Sequence, residues 1–303
     1  MVLPNFLVVG APKCGTTALY ADLSEHPEIS VSSMKESHYF RLGFGDLPWN
    51  GPGSPPDRSV TTLDKYASLF KLSQGTKAVG EVCPSYFYDP AVPERIKKTL
   101  GKIRIIIMLR DPANRAYSHF VYSRMLGCEP EIDFLTAVSK EAERMAANWG
   151  EFWYYKEQSF YHDIVVRYQS IFSSAQVLVV LAENYRKQRE DTLRQIYRFI
   201  NVDESFAQKQ SSEIRNENTS GLPVNLFMQF FLRRIRPILS NEYTRKIANK
   251  KIRMLYNEII RLGLTKPVMT SGDRAFLVDI FRNDVIKLES LLSCDLASWR
   301  SSD

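Results

Sequence analysis

The chain has 303 residues, 44% of them apolar and 12% aromatic, which is enough to bury a sizeable core and excludes an intrinsically disordered chain. Lys and Arg number 40 against 34 Asp and Glu, a net charge of +6, and such an excess favours anionic ligands by long-range attraction. The densest basic cluster is only Arg233-Arg234-Ile-Arg236, so a nucleic-acid arm is not expected, and four scattered cysteines without C-x-x-C spacing exclude a zinc ribbon or a disulfide framework.

In chain order, apolar runs suited to strands fall at Phe6–Gly10, Ile29–Val31, Lys77–Glu81, Ile103–Leu109 and Gln176–Leu181. No signal-peptide pattern precedes the first, and no apolar run approaches the ~20 residues that cross a bilayer. A soluble, cytoplasmic protein without a transmembrane segment is expected. Helical patterns fall at Thr16–Glu25, Pro90–Leu100, Ala113–Leu126, Phe134–Asn148, Tyr161–Phe172, Asp191–Ile200, Val224–Gly263 and Asp273–Leu292. Uninterrupted runs such as Ile103-Arg-Ile-Ile-Ile-Met-Leu109 read as strands buried on both faces. Strands alternating with helices predict an α/β fold: a P-loop-type parallel sheet flanked by helices, with a helical C-terminal cap. One domain over 1–303 is expected, with 221–265 as its helical, basic insertion or cap. Between the second strand and the third lies a long Gly/Pro-rich loop, residues 43–57.

The first strand runs into Gly10-Ala-Pro-Lys-Cys-Gly-Thr-Thr17 and then a helix. Strand, glycine-bearing turn and helix aim backbone N–H groups and the helix dipole at a phosphate. The nucleotide-triphosphate loop reads G-x-x-x-x-G-K-[ST], but here position 16 is threonine and the lysine stands at 13. That displacement points to a phosphate-binding turn whose cation serves a different leaving group. Cys14 reads as a small side chain in a tight turn.

A second anion site is predicted at the end of the fourth strand. Arg110 stands where α/β folds bind ligands, its fork suits a phosphate, and Ser118 follows about two helical turns on. Arg115 is read as a structural partner of Asp111, and His119 as a packing or surface histidine. An arginine where a Walker-type carboxylate would stand argues for chemistry without a metal. After the second strand comes Ser33-Met-Lys-Glu-Ser-His-Tyr-Phe40. In extended chain its Glu36 and His38 would point to one face.

Pro12-Lys13-Cys14-Gly15-Thr16-Thr17-Ala18-Leu19 resembles the 5′-phosphosulfate loop of the sulfotransferases that use 3′-phosphoadenosine-5′-phosphosulfate, in the pattern K-x-G-T-[TR]-A-L of bacterial and heparan-sulfate-type members. Arg110-Asp-Pro-Ala-Asn-Arg-Ala-Tyr-Ser118 resembles the family's 3′-phosphate motif, and Lys35-Glu-Ser-His-Tyr-Phe40 its [K/A]-E-x-H-[FY]-F signature. The resemblance assigns Lys13, Cys14, Gly15, Thr16, Thr17, Ala18, Arg110 and Ser118 to donor binding. It makes Glu36 the general base, His38 its partner and Lys13 the leaving-group stabiliser, with 3′,5′-adenosine bisphosphate as the product and no metal. Glu81-Val-Cys-Pro-Ser-Tyr86 resembles E-K-T-P-[SA]-Y, but Val82 stands where the heparan-type branch has a lysine. Ile214-Arg-Asn-Glu-Asn-Thr219 falls where the family has a donor-covering loop, which singles out Arg215 and Asn216.

The expected reaction is sulfuryl transfer to a hydroxyl or amine of a carbohydrate, glycolipid or small-molecule acceptor. Two other readings stand beside it: a P-loop kinase or NTPase, and a non-catalytic anion- or glycan-binding module. Trp149-Gly-Glu-Phe-Trp-Tyr-Tyr155, loop 43–57 and basic residues 233–253 are the candidates for an acceptor cleft.

Overall fold

The computed structural model describes residues 1–44, 49–53, 59–209, 222–223, 264–265 and 267–302. Five strands, β1 (Phe6–Gly10), β2 (Ile29–Val31), β3 (Ala78–Val82), β4 (Arg104–Leu109) and β5 (Val177–Leu181), form one sheet in the order β2-β3-β1-β4-β5. Every pairing is parallel. The three central strands are the continuous apolar runs of the sequence, and their residues are buried almost without exception. This is what a sheet covered on both faces requires.

The covering helices are α1 (Thr16–Glu25), α2 (Tyr39–Leu42), α3 (Leu63–Ala67), α4 (Val92–Leu100), α5 (Pro112–Met125), α6 (Phe134–Ser139), α7 (Glu141–Ala146), α8 (His162–Phe172), α9 (Ala182–Lys187), α10 (Arg189–Ile200) and α11 (Ser271–Leu292). Most predicted boundaries hold within a few residues. The exception is the helix predicted over 134–148, which breaks at Lys140 into α6 and α7. The break turns Glu141 inward to accept the N–H groups of Lys156 and Glu157, both at 2.8 Å. It also lets Arg144 reach Glu129. Tertiary pairing overrides local propensity there.

At the far end of the chain, α11 shares the main core: Leu277, Phe281, Val285 and Leu288 are buried in it. Asp284 of α11 accepts the N–H of Tyr161 at 2.8 Å, at the entrance to α8. The helical pattern at Val224–Gly263, the basic stretch 233–253 and the pair Arg215 and Asn216 lie outside the described residues.

Candidate active site

The turn after β1 depends on two glycines. A Cβ on Gly10 would lie 2.4 Å from Phe87, so only glycine lets β1 end against that ring. Gly15 caps α1 at φ 91°, in the left-handed region where glycine carries no steric penalty. No side chain caps α1, so the N–H groups of Thr16 and Thr17, which have no intrahelical acceptor, point out of the helix end. An anion is the natural partner for such an end.

Beside this turn, residues 32–38 are held by a buried carboxylate. Glu81 is fully buried at the end of β3. It accepts the N–H and hydroxyl of Ser37 at 3.0 and 2.6 Å and the hydroxyls of Tyr66 and Tyr86 at 2.9 and 3.1 Å. Burial pushes its carboxyl above the usual range, against those donors. Ser37 is thereby fixed between Glu36 and His38, which both take left-handed backbone angles, φ 63° and 58°; so does Lys13 at 69°. Such angles cost a non-glycine residue about a kcal/mol or more and gather at functional sites.

These pieces wall one cavity of about 500 Å³ beyond the C-terminal ends of β1 and β3. Lys13, Gly15, Thr16, Thr17 and Ala18 line it from the turn and α1, and Lys35, Glu36 and His38 from the facing segment. Lys35 is hydrogen-bonded and ion-paired to Glu36. The Nδ1 of His38 lies 2.7 Å from Ser85 Oγ and 3.8 Å from Cys83 Sγ, so the Pro84–Tyr86 turn orients its ring. Lys13 Nζ stands 3.9 Å from the centre of the Tyr122 ring, a cation–π contact. Burial, then Arg110, pulls the Lys13 ammonium down to about 8.

Three of the residues assigned to the donor do not line this cavity: Cys14, Arg110 and Ser118. Cys14 is fully buried, its N–H donates to Ala11 at 3.3 Å, and burial pushes its thiol up to about 11. Arg110 is half-buried, and its guanidinium makes a long contact, 3.5 Å, to the Lys13 carbonyl. Ser118 is half-buried on α5. The expected Arg115–Asp111 pair does not form. Asp111 instead caps α5 through the Asn114 N–H at 2.9 Å and pairs with Arg274 at 3.0 Å. Arg115, fully buried, donates to Ser159 Oγ, Gln158 Oε1 and the Tyr155 carbonyl.

The rest of the cavity wall escaped the sequence reading in most particulars. Arg41, Trp49, Tyr88, Glu151, Phe152 and Gln158 line it, with His119 and Tyr122 from α5. Of the aromatic stretch 149–155, Phe152 reaches the cavity, while Trp153 and Tyr155 are fully buried core. Burial pushes the imidazole of His119 well below its ordinary range, so it is neutral at pH 7.

Fold and turn together define a P-loop-type α/β protein. A family model, the sulfotransferase domain, matches residues 3–254. The chain belongs to the sulfotransferase family. It is 26% identical over 298 residues to the bifunctional heparan sulfate N-deacetylase/N-sulfotransferase 2 of Bos taurus, covering 96% of this chain and 30% of that protein. It is 25% identical over 250 residues to carbohydrate sulfotransferase 15 of Homo sapiens, covering 66% and 44%. The chain thus spans less than half the length of these relatives. The crystal structure of a sulfotransferase from Alicyclobacillus acidocaldarius superposes over 99% of this chain and 100% of its own, with a TM-score of 0.74 and 26% identity.

Proposed function

We propose that the chain transfers a sulfuryl group from 3′-phosphoadenosine-5′-phosphosulfate to a hydroxyl or amine of a carbohydrate acceptor, with Glu36 as general base. One observation carries this reading: the uncapped end of α1, Lys13, Glu36 and His38 wall a single cavity. In the reaction the acceptor oxygen or nitrogen forms a bond to sulfur while the bond from sulfur to the phosphate oxygen breaks. Glu36 takes the acceptor proton. The departing electron pair stays on the 5′-phosphate of 3′,5′-adenosine bisphosphate, where Lys13 and the α1 amides balance the growing charge. His38, oriented by Ser85, supports the acceptor beside Glu36. Arg110 and Ser118 would take the 3′-phosphate outside the cavity, which fits the position of Arg110 behind the Lys13 carbonyl.

Among the described residues no group of three or more His, Cys, Asp and Glu is arranged to hold a metal ion. Asp111, which follows β4 where a nucleotidase would hold Mg²⁺, is engaged by Asn114 and Arg274.

Glu36→Gln keeps size and hydrogen bonding but cannot take a proton. Transfer of radiolabelled sulfur is expected to fall by about 10²–10⁴-fold, with the affinity for 3′,5′-adenosine bisphosphate unchanged in calorimetry. Retained transfer would remove Glu36 from the mechanism. Mg²⁺-dependent ATP turnover without bisphosphate binding would replace the reading with a kinase.

A further inference from the structure

The cavity wall also holds a buried ion pair that the transfer chemistry does not use. Arg41 NH2 stands 3.1 Å from Glu151 Oε2, with side chains 9% and 16% exposed. Buried pairs of this kind are costly unless their remaining hydrogen-bonding groups are also satisfied. Here they are not: Arg41 Nε is buried without a partner. A second buried polar atom on the same wall, His119 Nδ1, is also without one. Arg41 and Glu151 both line the cavity, so a ligand occupying it lies against an ion pair that is not fully satisfied.

The surroundings narrow its chemistry. Trp49 donates its Nε1–H to the Gly53 carbonyl at 3.3 Å and lies against Phe152, ring centres 5.9 Å apart, so its indole is fixed on the cavity wall. Tyr88 lines the same space. Gln158 holds Glu151 in place from behind, donating to its carbonyl at 2.6 Å while accepting from Arg115. Cations are conspicuous for being engaged. Among the described residues lining the cavity, Lys35 pairs with Glu36, Arg41 with Glu151, and Lys13 sits over Tyr122. Val82, at the position where the heparan-type pattern has a lysine, is fully buried.

A guanidinium beside a carboxylate offers a donor and an acceptor side by side, which matches neighbouring hydroxyls of a sugar ring. Burial lifts the Glu151 carboxyl up to about 7, against Arg41, so near neutrality it can accept from a hydroxyl or donate to one. Aromatic faces suit the C–H face of such a ring. A polyanionic glycan would instead need unengaged cations, and would meet Glu36 and Glu151.

We propose that Arg41, Glu151, Trp49, Tyr88 and Phe152 form an acceptor subsite for an uncharged, hydroxyl-rich sugar ring rather than for a uronic-acid glycan. The inference rests on the sulfuryl-transfer reading above, in which one ring hydroxyl gives its proton to Glu36 as its oxygen bonds to sulfur.

The experiment uses the full chain, 3′-phosphoadenosine-5′-phosphosulfate with radiolabelled sulfur, and two acceptor sets. One holds p-nitrophenyl β-glucoside and β-galactoside; the other is an oligosaccharide of alternating glucuronate and N-acetylglucosamine. The neutral glycosides are expected to be sulfated and the uronic-acid chain at least tenfold less efficiently. Trp49→Ala and Glu151→Gln should each raise the glycoside KM by roughly tenfold, with smaller change in kcat and unchanged affinity for 3′,5′-adenosine bisphosphate. Trp49→Phe, which keeps an aromatic face, should recover most of the loss. Preference for the uronic-acid chain, sulfation of neither set, or variants with wild-type KM overturns the inference while donor-product binding leaves the transfer reading standing. Loss of donor-product binding in the unaltered chain sinks the transfer reading itself.

Discussion

Two groups of charged residues differ in what closes them. The first is a belt that links α5, α7 and residues 155–159. Arg144 meets Glu129 through two bonds of 2.8 Å, Tyr155 donates to Glu129 at 2.6 Å, and Glu141 takes two backbone N–H groups. Arg115 spends its guanidinium on Ser159, Gln158 and Tyr155. The second group, Lys13, Lys35, Glu36 and His38, is only half-buried, faces a cavity, and has three of its four members at left-handed backbone angles. Residue types alone do not separate the two groups. The belt's carboxylates are met by donors of the chain itself, whereas the cavity group keeps its strained members turned toward open space, where a ligand can meet them.

The largest effect that would test this contrast lies in the belt. Arg144→Met leaves the buried Glu129 carboxylate with only the Tyr155 hydroxyl and the Glu131 N–H as donors, which is expected to cost about 3–5 kcal/mol of stability. Denaturant unfolding measures it, and any folded fraction should bind 3′,5′-adenosine bisphosphate as tightly as the unaltered chain. A loss below 1 kcal/mol would mean that the belt is less closed than its geometry implies. Glu81 links the two regimes, because it is met by the chain's own donors like the belt's carboxylates, yet its bonds set the backbone of the cavity group. Glu81→Gln keeps the volume but places a donor among donors: Ser37, Tyr66 and Tyr86 all point at it. The expected result is a fall in kcat of roughly tenfold with little change in donor-product affinity, since Glu36 and His38 shift while the α1 turn does not. Equal loss in both quantities would show general unfolding instead of mispositioning.

How much of this was legible in the sequence follows the range of the interactions. The five strands stood out because a strand buried on both faces is an uninterrupted apolar run, as in Ile105-Ile-Ile-Met-Leu109. The α1 turn was visible because its lysine, glycine and threonines are contiguous. The break at Lys140 was not, since it depends on Glu141 finding the amides of residues 156 and 157. The Arg41–Glu151 pair spans over a hundred residues, and neither partner carries a local signal. Only the aromatic stretch 149–155 hinted at that wall, and the backbone there sends Phe152 to the cavity and Trp153 into the core. Arg115 was misassigned for the same reason: its sequence neighbour Asp111 is taken by Arg274, far along the chain.

The smallest effect is a pH dependence, and it isolates the cavity group from the belt. Burial, followed by Arg110 and then Arg115, draws Lys13 from 10.5 to about 8, with Glu36 and Cys14 opposing. A bound phosphate would favour the ammonium and raise that value, so binding takes up a proton wherever Lys13 is neutral in the free chain. Affinity for 3′,5′-adenosine bisphosphate should therefore be at its full value below pH 8. As pH rises through 8 it should fall, about twofold at the midpoint and by up to tenfold per unit beyond, until the bound-state value is reached. Phosphate monoesters ionise near pH 6, so the ligand's own charge is nearly constant from 7 to 9.5 and does not imitate the effect. Calorimetry in buffers of different ionisation enthalpy reads the proton uptake directly, and Lys13→Met should abolish it along with the slope. A slope that survives in Lys13→Met would place the titrating group elsewhere, and a flat profile in the unaltered chain would mean that the anion does not rest on Lys13.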